Sequence, residues 1–421
     1  MTSLNGQRDL LGVRVALLTL LIAGCSVSNN PAMPGVAASS AASGTKSSNE
    51  LVVDKFTSPT YGNNLPSPLT PDGAGNYYGT TSVGGLGYGT LYELSPNGQD
   101  GWSQTILHTF TNYLDGGFPE FTPLIFDKHG DLYGIAHNGG ANGLGVAFRF
   151  RRTAHGWVEK VLHDFGNGDA YPFNNVIVDR AGNLYGTDNV YHDGGGITEG
   201  VYEIGSSRSG GQYKIIYDLG MAAANGGGGG LVMDPKGNIF GLSSGFIEPA
   251  IVFELERTSG GWNSVVLFKF KQIASYPLGA PVLDKAENIY GTTADGGSGQ
   301  HGTVYKLRPS KAGHWKMETL YAFKGGADGG GPYAGVTFDG SGNIYGTTLA
   351  GASNSGTVFE LTANTHSEKV LWTFDGKDGS APLAPVVLDG AGNLFGTTSS
   401  GGGNKRCYAK AGCGNVFELT L

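Results

Sequence analysis

The sequence predicts an all-β fold: a seven-bladed β-propeller of four-stranded antiparallel blades, closed by an N-terminal strand that completes the last blade. Three observations support this. The phrase Asp-x-x-Gly-Asn-x-Tyr-Gly recurs seven times with limited variation. Each period contains four short apolar runs bounded by turn residues. The folded region opens with a run that matches the fourth run of the other periods, and the chain ends after a third run.

The composition of the 421 residues is that of a folded, glycine-rich chain with few charges. Glycine contributes 74 residues, and the aromatic content of 11% argues against disorder. Charged residues make up 15%, and the formal net charge is −8. Because nucleic-acid binding depends on Lys and Arg neutralising phosphates, this charge argues against a nucleic-acid partner.

The first 24 residues are similar to a lipoprotein signal peptide. Arg8 and Arg14 precede an apolar run at 15–22, which is shorter than the roughly 20 residues of a membrane-spanning helix. The run continues into Leu-Ile-Ala-Gly-Cys at 21–25, which resembles the bacterial lipobox. This resemblance implies that Cys25 is lipidated, with palmitate among its acyl chains. Because Ser26 rather than Asp follows Cys25, it also implies the outer membrane as destination. An ordinary signal peptide with an incidental cysteine is the alternative.

Residues 25–49 are expected to form a flexible tether behind the lipidated cysteine. They are rich in Ser and Ala and carry one charged side chain, Lys46. Such a segment buries too little apolar surface to offset its ordering entropy. The predicted organisation is therefore a signal peptide at 1–24, a tether at 25–49 and a propeller at 50–421.

The repeat defines the blades. The glycine that closes each copy of the phrase recurs at intervals of 50 to 55 residues, close to the roughly 40–50 residues of a propeller blade. In the sixth period the four predicted strands are 333–339, 343–348, 357–361 and 369–374. Their content of Val, Ile, Phe, Tyr and Thr favours β-structure. These seven glycines are Gly79, Gly134, Gly186, Gly241, Gly291, Gly346 and Gly396.

The recurring aspartate and aromatic residue have structural interpretations. The aspartate is expected to accept hydrogen bonds from backbone amides two or three residues further on, within a tight turn. A catalytic or metal-binding role would not require seven scattered copies. The aromatic residue before each closing glycine is expected to pack between blades. The seven aspartates are Asp72, Asp127, Asp179, Asp234, Asp284, Asp339 and Asp389.

The two chain ends predict how the ring closes. Residues 51–56 match the fourth strand of the other periods, whereas 416–419 match the third. Joining them gives seven complete blades and removes an open apolar interface between the first and last blades. An open superhelical array, the alternative, would leave both terminal strands unpaired.

The pattern Gly-Asn-x-Tyr/Phe-Gly-Thr-Thr followed by Gly-x-Val-Phe-Glu-Leu resembles the bacterial GloVer-type tandem-repeat family. It is clear in 342–348 with 356–361 and in 392–398 with 414–419, and it extends over 51–421. The resemblance implies a propeller and an exported, often surface-anchored protein, but no established reaction. The third and fourth units depart from the pattern at 186–193 and 241–246.

The cysteines fit an exported protein. With Cys25 lipidated, Cys407 and Cys413 remain as an even pair within an insertion of the last blade. A disulfide is the expected state in an oxidising compartment. The spacing is not that of a zinc motif, and no metal site is predicted from it.

Candidate binding residues lie in the loops that join second to third strands. The third unit carries Asp188, His192, Asp193 and Glu199 where the other units carry mostly Thr, Ser and Gly. A histidine among carboxylates suits a general base or a divalent-cation ligand, and a solvated loop is the alternative. His137 and His301 occupy comparable loops, and they either converge with this cluster or are simply exposed.

Two functions remain open. The first is a binding scaffold at the cell envelope whose variable loops contact an envelope protein or a glycan. In this hypothesis the protein is a monomer, with no membrane contact beyond its lipid anchor. The second is a carbohydrate-active hydrolase or lyase. The sequence contains no nucleophile elbow or zinc-binding helix motif, so we lean towards a non-enzymatic role and expect no cofactor. Ca²⁺ stays open, because Asp/Asn/Gly loops supply oxygen ligands.

Overall fold

The computed structural model describes most of the predicted propeller. The described residues are 50–55, 67–98, 101–119, 122–166, 168–193, 196–206, 211–222, 229–243, 249–271, 276–310, 314–402 and 412–421. The predicted signal peptide at 1–24, the tether at 25–49 with Cys25, and Cys407 lie outside them.

Within these ranges, 28 strands form seven four-stranded antiparallel sheets, as predicted. Blade 1 contains β2 (Thr70–Pro71), β3 (Tyr77–Thr81), β4 (Thr90–Pro96) and β5 (Trp102–Thr109). Blade 2 contains β6 (Ile125–Phe126), β7 (Leu132–Ala136), β8 (Val146–Thr153) and β9 (Gly156–Asp164). Blade 3 contains β10 (Asp169–Val178), β11 (Leu184–Tyr191), β12 (Ile197–Ile204) and β13 (Tyr213–Ala222). Blade 4 contains β14 (Leu231–Met233), β15 (Ile239–Leu242), β16 (Ile251–Thr258) and β17 (Gly261–Lys269).

The remaining blades follow the same order. Blade 5 contains β18 (Val282–Leu283), β19 (Ile289–Thr293), β20 (Thr303–Pro309) and β21 (Trp315–Ala322). Blade 6 contains β22 (Thr337–Phe338), β23 (Ile344–Thr348), β24 (Thr357–Leu361) and β25 (Glu368–Thr373). Blade 7 contains β26 (Val387–Leu388), β27 (Leu394–Thr398), β28 (Asn415–Leu419) and the N-terminal β1 (Glu50–Lys55). The first strand of the sixth period is shorter than predicted.

The N-terminal strand closes the ring, which confirms the prediction. Strand β1 pairs antiparallel with β28, with Glu50 opposite Leu419 and Lys55 opposite Asn415. It takes the position that a fourth strand occupies in the other six sheets. The last blade therefore joins residues about 360 positions apart in the chain, and its third strand has no unpaired edge.

The first strands of neighbouring blades approach each other closely around the axis. The Asn175 side chain bridges two of them: its amide donates to the Leu231 carbonyl at 2.7 Å, and its oxygen accepts from the Leu231 backbone N–H at 2.8 Å. A methyl group added at Gly230 would lie 2.5 Å from Ala280 Cβ and from Asn175 Oδ1. Only glycine fits where these inner strands meet.

The recurring aspartate folds the turn between first and second strands. In blade 6, Asp339 Oδ1 accepts the backbone N–H groups of Ser341 and Asn343, both at 2.8 Å, and Oδ2 accepts the Asn343 amide at 2.8 Å. All seven aspartates accept from amides two and four residues further on, rather than two or three as predicted. Burial raises the pKa of Asp339, but these hydrogen bonds outweigh it, so the pKa lies below its usual value.

Among the residues that the structure describes, the core consists of seven apolar clusters, each formed between two neighbouring blades. The aromatic residue of the repeat contributes one side chain to each cluster, which confirms that it packs between blades. The seven members are Tyr78, Tyr133, Tyr185, Phe240, Tyr290, Tyr345 and Phe395.

The closing glycine of each repeat lies under an aromatic ring from the third strand. Gly346 pairs with Phe359 across β23 and β24, and a methyl group added at Gly346 would lie 2.6 Å from Phe359 Cζ. The same pairing occurs in every blade, between Gly134 and Phe148 for example. A side chain at this position would displace a fully buried ring from the inter-blade core.

We predict that Gly346→Ala destabilises the propeller by about 1–3 kcal/mol, because the added methyl group overpacks the core against Phe359. Gly340→Ala in the same blade is the matched control. No heavy atom lies within 4 Å of its added methyl group, so its effect should stay within about 0.5 kcal/mol. Urea unfolding of the two variants measures the difference, and equal midpoints would contradict the packing argument.

Candidate functional site

The variable face is the end of the propeller that carries the loops from second to third strands and from fourth strands to the next blade. Because the strands of each sheet are antiparallel and in sequence order, these two kinds of loop emerge at the same end. In blade 1 they touch: the Phe118 backbone N–H donates to the Tyr88 carbonyl at 2.8 Å, and the two rings meet edge to face at 5.6 Å.

Exposed apolar side chains occur on the variable face of blades 1 to 3. Leu86 is 52% exposed, and it lies between β3 and β4. Tyr113 and Leu114, which follow β5, are 77% and 69% exposed. Tyr191, at the end of β11, is 42% exposed. Large apolar groups held in water favour a surface that is covered by a partner.

Several loops on this face have a strained backbone. Non-glycine residues with positive φ are uncommon, and in ordered loops they indicate conformations held by surrounding contacts. Phe118 has φ of 54°, and its carbonyl accepts the His137 backbone N–H at 3.3 Å. Other such residues in variable-face connections are Asn112, Tyr276, Gln300, Asn354 and Ala381.

Asp188 is fully buried in the junction between blades 2 and 3. It occupies the position of the second threonine of Gly-Thr-Thr in other blades, where Thr348, for example, contacts Thr357 at 2.7 Å between hydroxyls. Asp188 Oδ2 accepts the Tyr213 hydroxyl at 2.6 Å. Its Oδ1 has no hydrogen-bond partner among the described residues. Burial raises the pKa of Asp188 well above its usual value, and the charges of Asp169 and Glu199 raise it further.

A histidine, a tyrosine and one further aspartate lie near this buried carboxyl group. The His163 ring stacks on Tyr213 with centroids 4.3 Å apart, and His163 Nε2 lies 2.6 Å from Asp169 Oδ2. Tyr213 belongs to β13, and Asp169 begins β10. Asp188 lies on β11 and Glu199 on β12, rather than in the loop predicted for them. The structure connects Asp188 to His163 and Asp169 through Tyr213, and not to the other third-unit candidates.

The remaining third-unit candidates do not join Asp188. Glu199 is buried but pairs with Asn189, one residue beyond the pair formed by Asp188 and Gly200, so its side chain lies on the opposite face of the sheet. His192 Nε2 lies 2.7 Å from Thr198 Oγ1 and 3.2 Å from Asp218 Oδ2. Asp193 is exposed. These carboxylates do not form one catalytic pair.

His137 and His301 contact different junctions. The His137 ring lies 5.2 Å from the rings of Tyr171 and Phe173, in the junction of blades 2 and 3, and burial lowers its pKa. His301 lies in the loop between β19 and β20, and its ring borders Gly325 and Gly330.

Cys413 is buried in the cluster between blades 1 and 7. Its expected partner, Cys407, lies outside the described residues, so the disulfide stays a prediction.

Sequence reasoning missed a ring–carboxylate pair that recurs where one blade leads to the next. In each case a ring on the fourth strand bonds an aspartate six or seven residues later, either in the following loop or, for Asp169, at the start of the next strand. In blade 6, for example, Trp372 Nε1 donates to Asp378 Oδ2 at 3.0 Å. The sequence signal is His, Tyr or Trp two residues before Phe, with Asp following. The pairs are His108–Asp115, His163–Asp169, Tyr321–Asp328 and Trp372–Asp378.

We name each junction by the two blades that it joins, so that junction 1/2 lies between blades 1 and 2. At several junctions the fourth strand of the second blade presents one further side chain, and the residue type at this position varies. It is Glu159 at junction 1/2, Tyr213 at junction 2/3, Met317 at junction 4/5 and Glu368 at junction 5/6; all four are equivalent by strand register. Burial, and then the charge of Asp115, raise the pKa of Glu159 to about 8. Burial and Asp328 raise the pKa of Glu368 to about 7. At junction 4/5, Phe268 and Met317 instead line an open cavity of about 540 Å³.

Comparisons with known proteins identify the repeat and the fold. The family model described as the Gloeobacter/Verrucomicrobia repeat matches residues 40–248 and 228–421. No curated protein matches the sequence. Among the described residues, no helix has the length and apolar character needed to cross a membrane.

Solved structures share the fold at low sequence identity. A puromycin-hydrolyzing peptidase from Mycobacterium tuberculosis superimposes with a TM-score of 0.53 at 10% identity, covering 82% of this chain and 52% of the peptidase. The extracellular domain of a one component system from Bacteroides thetaiotaomicron gives a TM-score of 0.54 at 9% identity, covering 88% of this chain and 40% of that one. The chain thus spans 52% and 40% of the length of these two relatives, and the likeness establishes the fold alone.

We predict that Asp188→Asn stabilises the protein increasingly as pH rises. Because the folded-state pKa of Asp188 is raised, its contribution to the unfolding free energy is present below its unfolded pKa of about 3.8 and is lost as pH rises through the folded value. Asparagine keeps the acceptor for Tyr213 without that loss. Melting temperatures of variant and wild type should therefore diverge from pH 4 towards pH 8. The exposed Asp193→Asn is the control, and a similar divergence there would contradict the assignment.

Proposed function

The chain belongs to the Gloeobacter/Verrucomicrobia repeat family, and we propose that it is a cell-envelope-anchored β-propeller lipoprotein that binds a protein partner through its variable face. The observation that carries this proposal is the group of exposed apolar side chains on that face, Leu86, Tyr113, Leu114 and Tyr191. All four lie in blades 1 to 3, and Asn112 and Phe118, in the same loop as Tyr113 and Leu114, have positive φ.

The chemistry of these side chains favours a protein over a glycan. Sugars are commonly bound by stacking on aromatic rings, which would suit Tyr113 and Tyr191 but not Leu86 and Leu114. Aliphatic and aromatic groups together, on a rigid scaffold, are what the desolvated centre of a protein interface requires. A glycan ligand remains the alternative, and the experiment must distinguish it from a protein ligand.

The anchor is part of the same proposal. It rests on the lipobox-like sequence that ends at Cys25 and on the Ser- and Ala-rich tether at 25–49. A coil of 25 residues has a root-mean-square reach of about 25–30 Å. This reach would hold the propeller close to the membrane surface, leaving its loops accessible. The extracellular domain among the structural relatives is compatible with an exterior location.

No observation favours the alternative of a carbohydrate-active hydrolase or lyase. Paired carboxylates for glycoside cleavage must face each other across about 5–10 Å of open site. Asp188 is buried between two blades and Glu199 faces the other side of its sheet, while Asp193 is exposed. We therefore propose a binding role alone.

We predict that Leu86→Ser combined with Leu114→Ser lowers retention of the partner at least about tenfold, because each substitution removes apolar area at the centre of the interface. Purified full-length chain would be immobilised and exposed to envelope protein extract and, separately, to envelope polysaccharide. Val158→Ser is the matched control, since Val158 is 54% exposed but lies on the outer strand β9.

The outcomes separate the two ligand classes. Selective loss of one retained protein in the double variant, with Val158→Ser unchanged, supports the proposal. Retention of polysaccharide alone would favour the glycan alternative. Equal loss in the double variant and in Val158→Ser would show that the variable face is not the binding surface.

We predict that Cys25→Ser moves the protein from the membrane pellet to the soluble fraction, because the thiol that would carry the lipid is gone. Cell fractionation with immunodetection measures the distribution. Ser26→Ala is the control and should remain in the pellet. A Cys25→Ser protein that stays with the membrane would show that the lipobox resemblance is misleading.

A further inference from the structure

Three metal-ligating groups from two blades meet at junction 1/2. His108 lies on β5, Asp115 in the loop that follows, and Glu159 on β9 of the next blade. His108 Nε2 is 3.2 Å from Asp115 Oδ2 and 3.6 Å from Glu159 Oε2. We propose that these three side chains bind a divalent transition-metal ion of the Zn²⁺ class, which joins blade 1 to blade 2.

The spacing of the ligand atoms fits such an ion. Zn²⁺ binds histidine nitrogen and carboxylate oxygen at about 2.0–2.2 Å in tetrahedral geometry, which places neighbouring ligand atoms about 3.3–3.6 Å apart. The separations of 3.2 and 3.6 Å lie within about 0.1 Å of this range, and all three ligand atoms lie within 4.8 Å of one another. An ion therefore needs only small side-chain adjustments, and its fourth position remains for water.

Two features of the surroundings support ion binding. Glu159 Oε1 is buried and has no hydrogen-bond partner among the described residues, so this carboxylate is not explained by protein contacts alone. Asp115 is fixed by Thr111, whose backbone N–H donates to Oδ2 at 3.0 Å and whose hydroxyl donates to Oδ1. Metal-bound carboxylates commonly have such an outer partner.

Comparison with the other junctions shows that the three ligands at junction 1/2 are more than another copy of the recurring ring–carboxylate pair, because Glu159 adds a third ligand to His108 and Asp115. Junction 2/3 has the same pair in His163 and Asp169 but presents Tyr213 where junction 1/2 presents Glu159. Junction 5/6 has Glu368 but a phenol, Tyr321, in place of the imidazole. Within the described parts of the chain, only His108, Asp115 and Glu159 bring three potential ligands together.

The donor set selects the kind of ion. One nitrogen and two carboxylate oxygens suit Zn²⁺ and neighbouring transition metals. Ca²⁺ takes six to eight oxygen ligands and gains little from an imidazole. The side chains of His108, Asp115 and Glu159 are 23%, 16% and 14% exposed, so an ion can enter from solvent. Once bound, it would fix the loop that presents Tyr113 and Leu114.

The test uses the full-length chain without an affinity tag, stripped of metal by a chelator and titrated with ZnCl₂ in a calorimeter. His108→Phe and Glu159→Met each remove one ligand, and each introduces the residue found at the equivalent position of junction 4/5, Phe268 or Met317. Melting of the metal-free variants verifies that they fold. His163→Phe is the matched control, because it makes the same change in a pair that lacks the third ligand.

We expect one tightly bound Zn²⁺ per wild-type chain and a melting temperature raised by the ion. His108→Phe and Glu159→Met should weaken binding by more than about 100-fold and abolish the thermal shift, whereas Thr111→Val should weaken it by about 10- to 100-fold. His163→Phe should bind as wild type. The proposal is overturned by a wild-type chain that does not bind Zn²⁺ at micromolar concentration. Equal losses in His163→Phe and His108→Phe, or Ca²⁺ binding as tightly as Zn²⁺, would also overturn it.

Discussion

The contact between a third-strand aromatic ring and a second-strand glycine is the constraint on which the propeller depends. The far end of the aromatic ring lies against the glycine, so it fills the space that a side chain would take and becomes part of the inter-blade core. The aromatic residue just before the glycine points to the other face of its sheet and enters the next core. Two neighbouring residues of each repeat therefore contribute to two successive junctions between blades. Each blade packs directly against its two neighbours around the propeller.

The fold was predictable because its determinants are local and repeated. The aspartate turn needs only residues within four positions, as Asp339 and Asn343 show, and seven copies make such a pattern visible. Closure of the propeller was also predictable. The N-terminus carries a fourth strand without a blade and the C-terminal blade lacks its fourth strand, so the two are expected to pair. The hydrogen-bond partners of the aspartate were predicted less accurately. They are the amides two and four residues further on, because the Asp339 backbone N–H also bonds the Asn343 carbonyl and brings the fourth residue back to the aspartate.

The candidate site was predicted less well because its contacts cross between blades. Asp188 was noticed as a departure from Gly-Thr-Thr, but its partner Tyr213 lies 25 residues further along the chain on β13. The sequence grouped Asp188 with Glu199, yet strand pairing places them on opposite faces of one sheet. Glu159 was missed altogether, since three strands, β6 to β8, separate it from Asp115 in the chain and it belongs to no motif. To predict such contacts between residues far apart in the chain, the register of the strands must be known, and sequence spacing alone does not supply it.

The junctions explain how one repeat can carry different chemistry without changing its fold. The position occupied by Glu159, Tyr213, Met317 or Glu368 is set by the register of the fourth strand, and it is only partly buried. A carboxyl group, a phenol or a thioether fits there, because the aromatic and glycine contacts that hold the blades together lie deeper. At junction 1/2 the variable side chain lies beside the aspartate that anchors the loop of Tyr113 and Leu114. A change in this one side chain therefore alters the polar surroundings of His108 and Asp115, while the aromatic and glycine contacts between the blades stay the same.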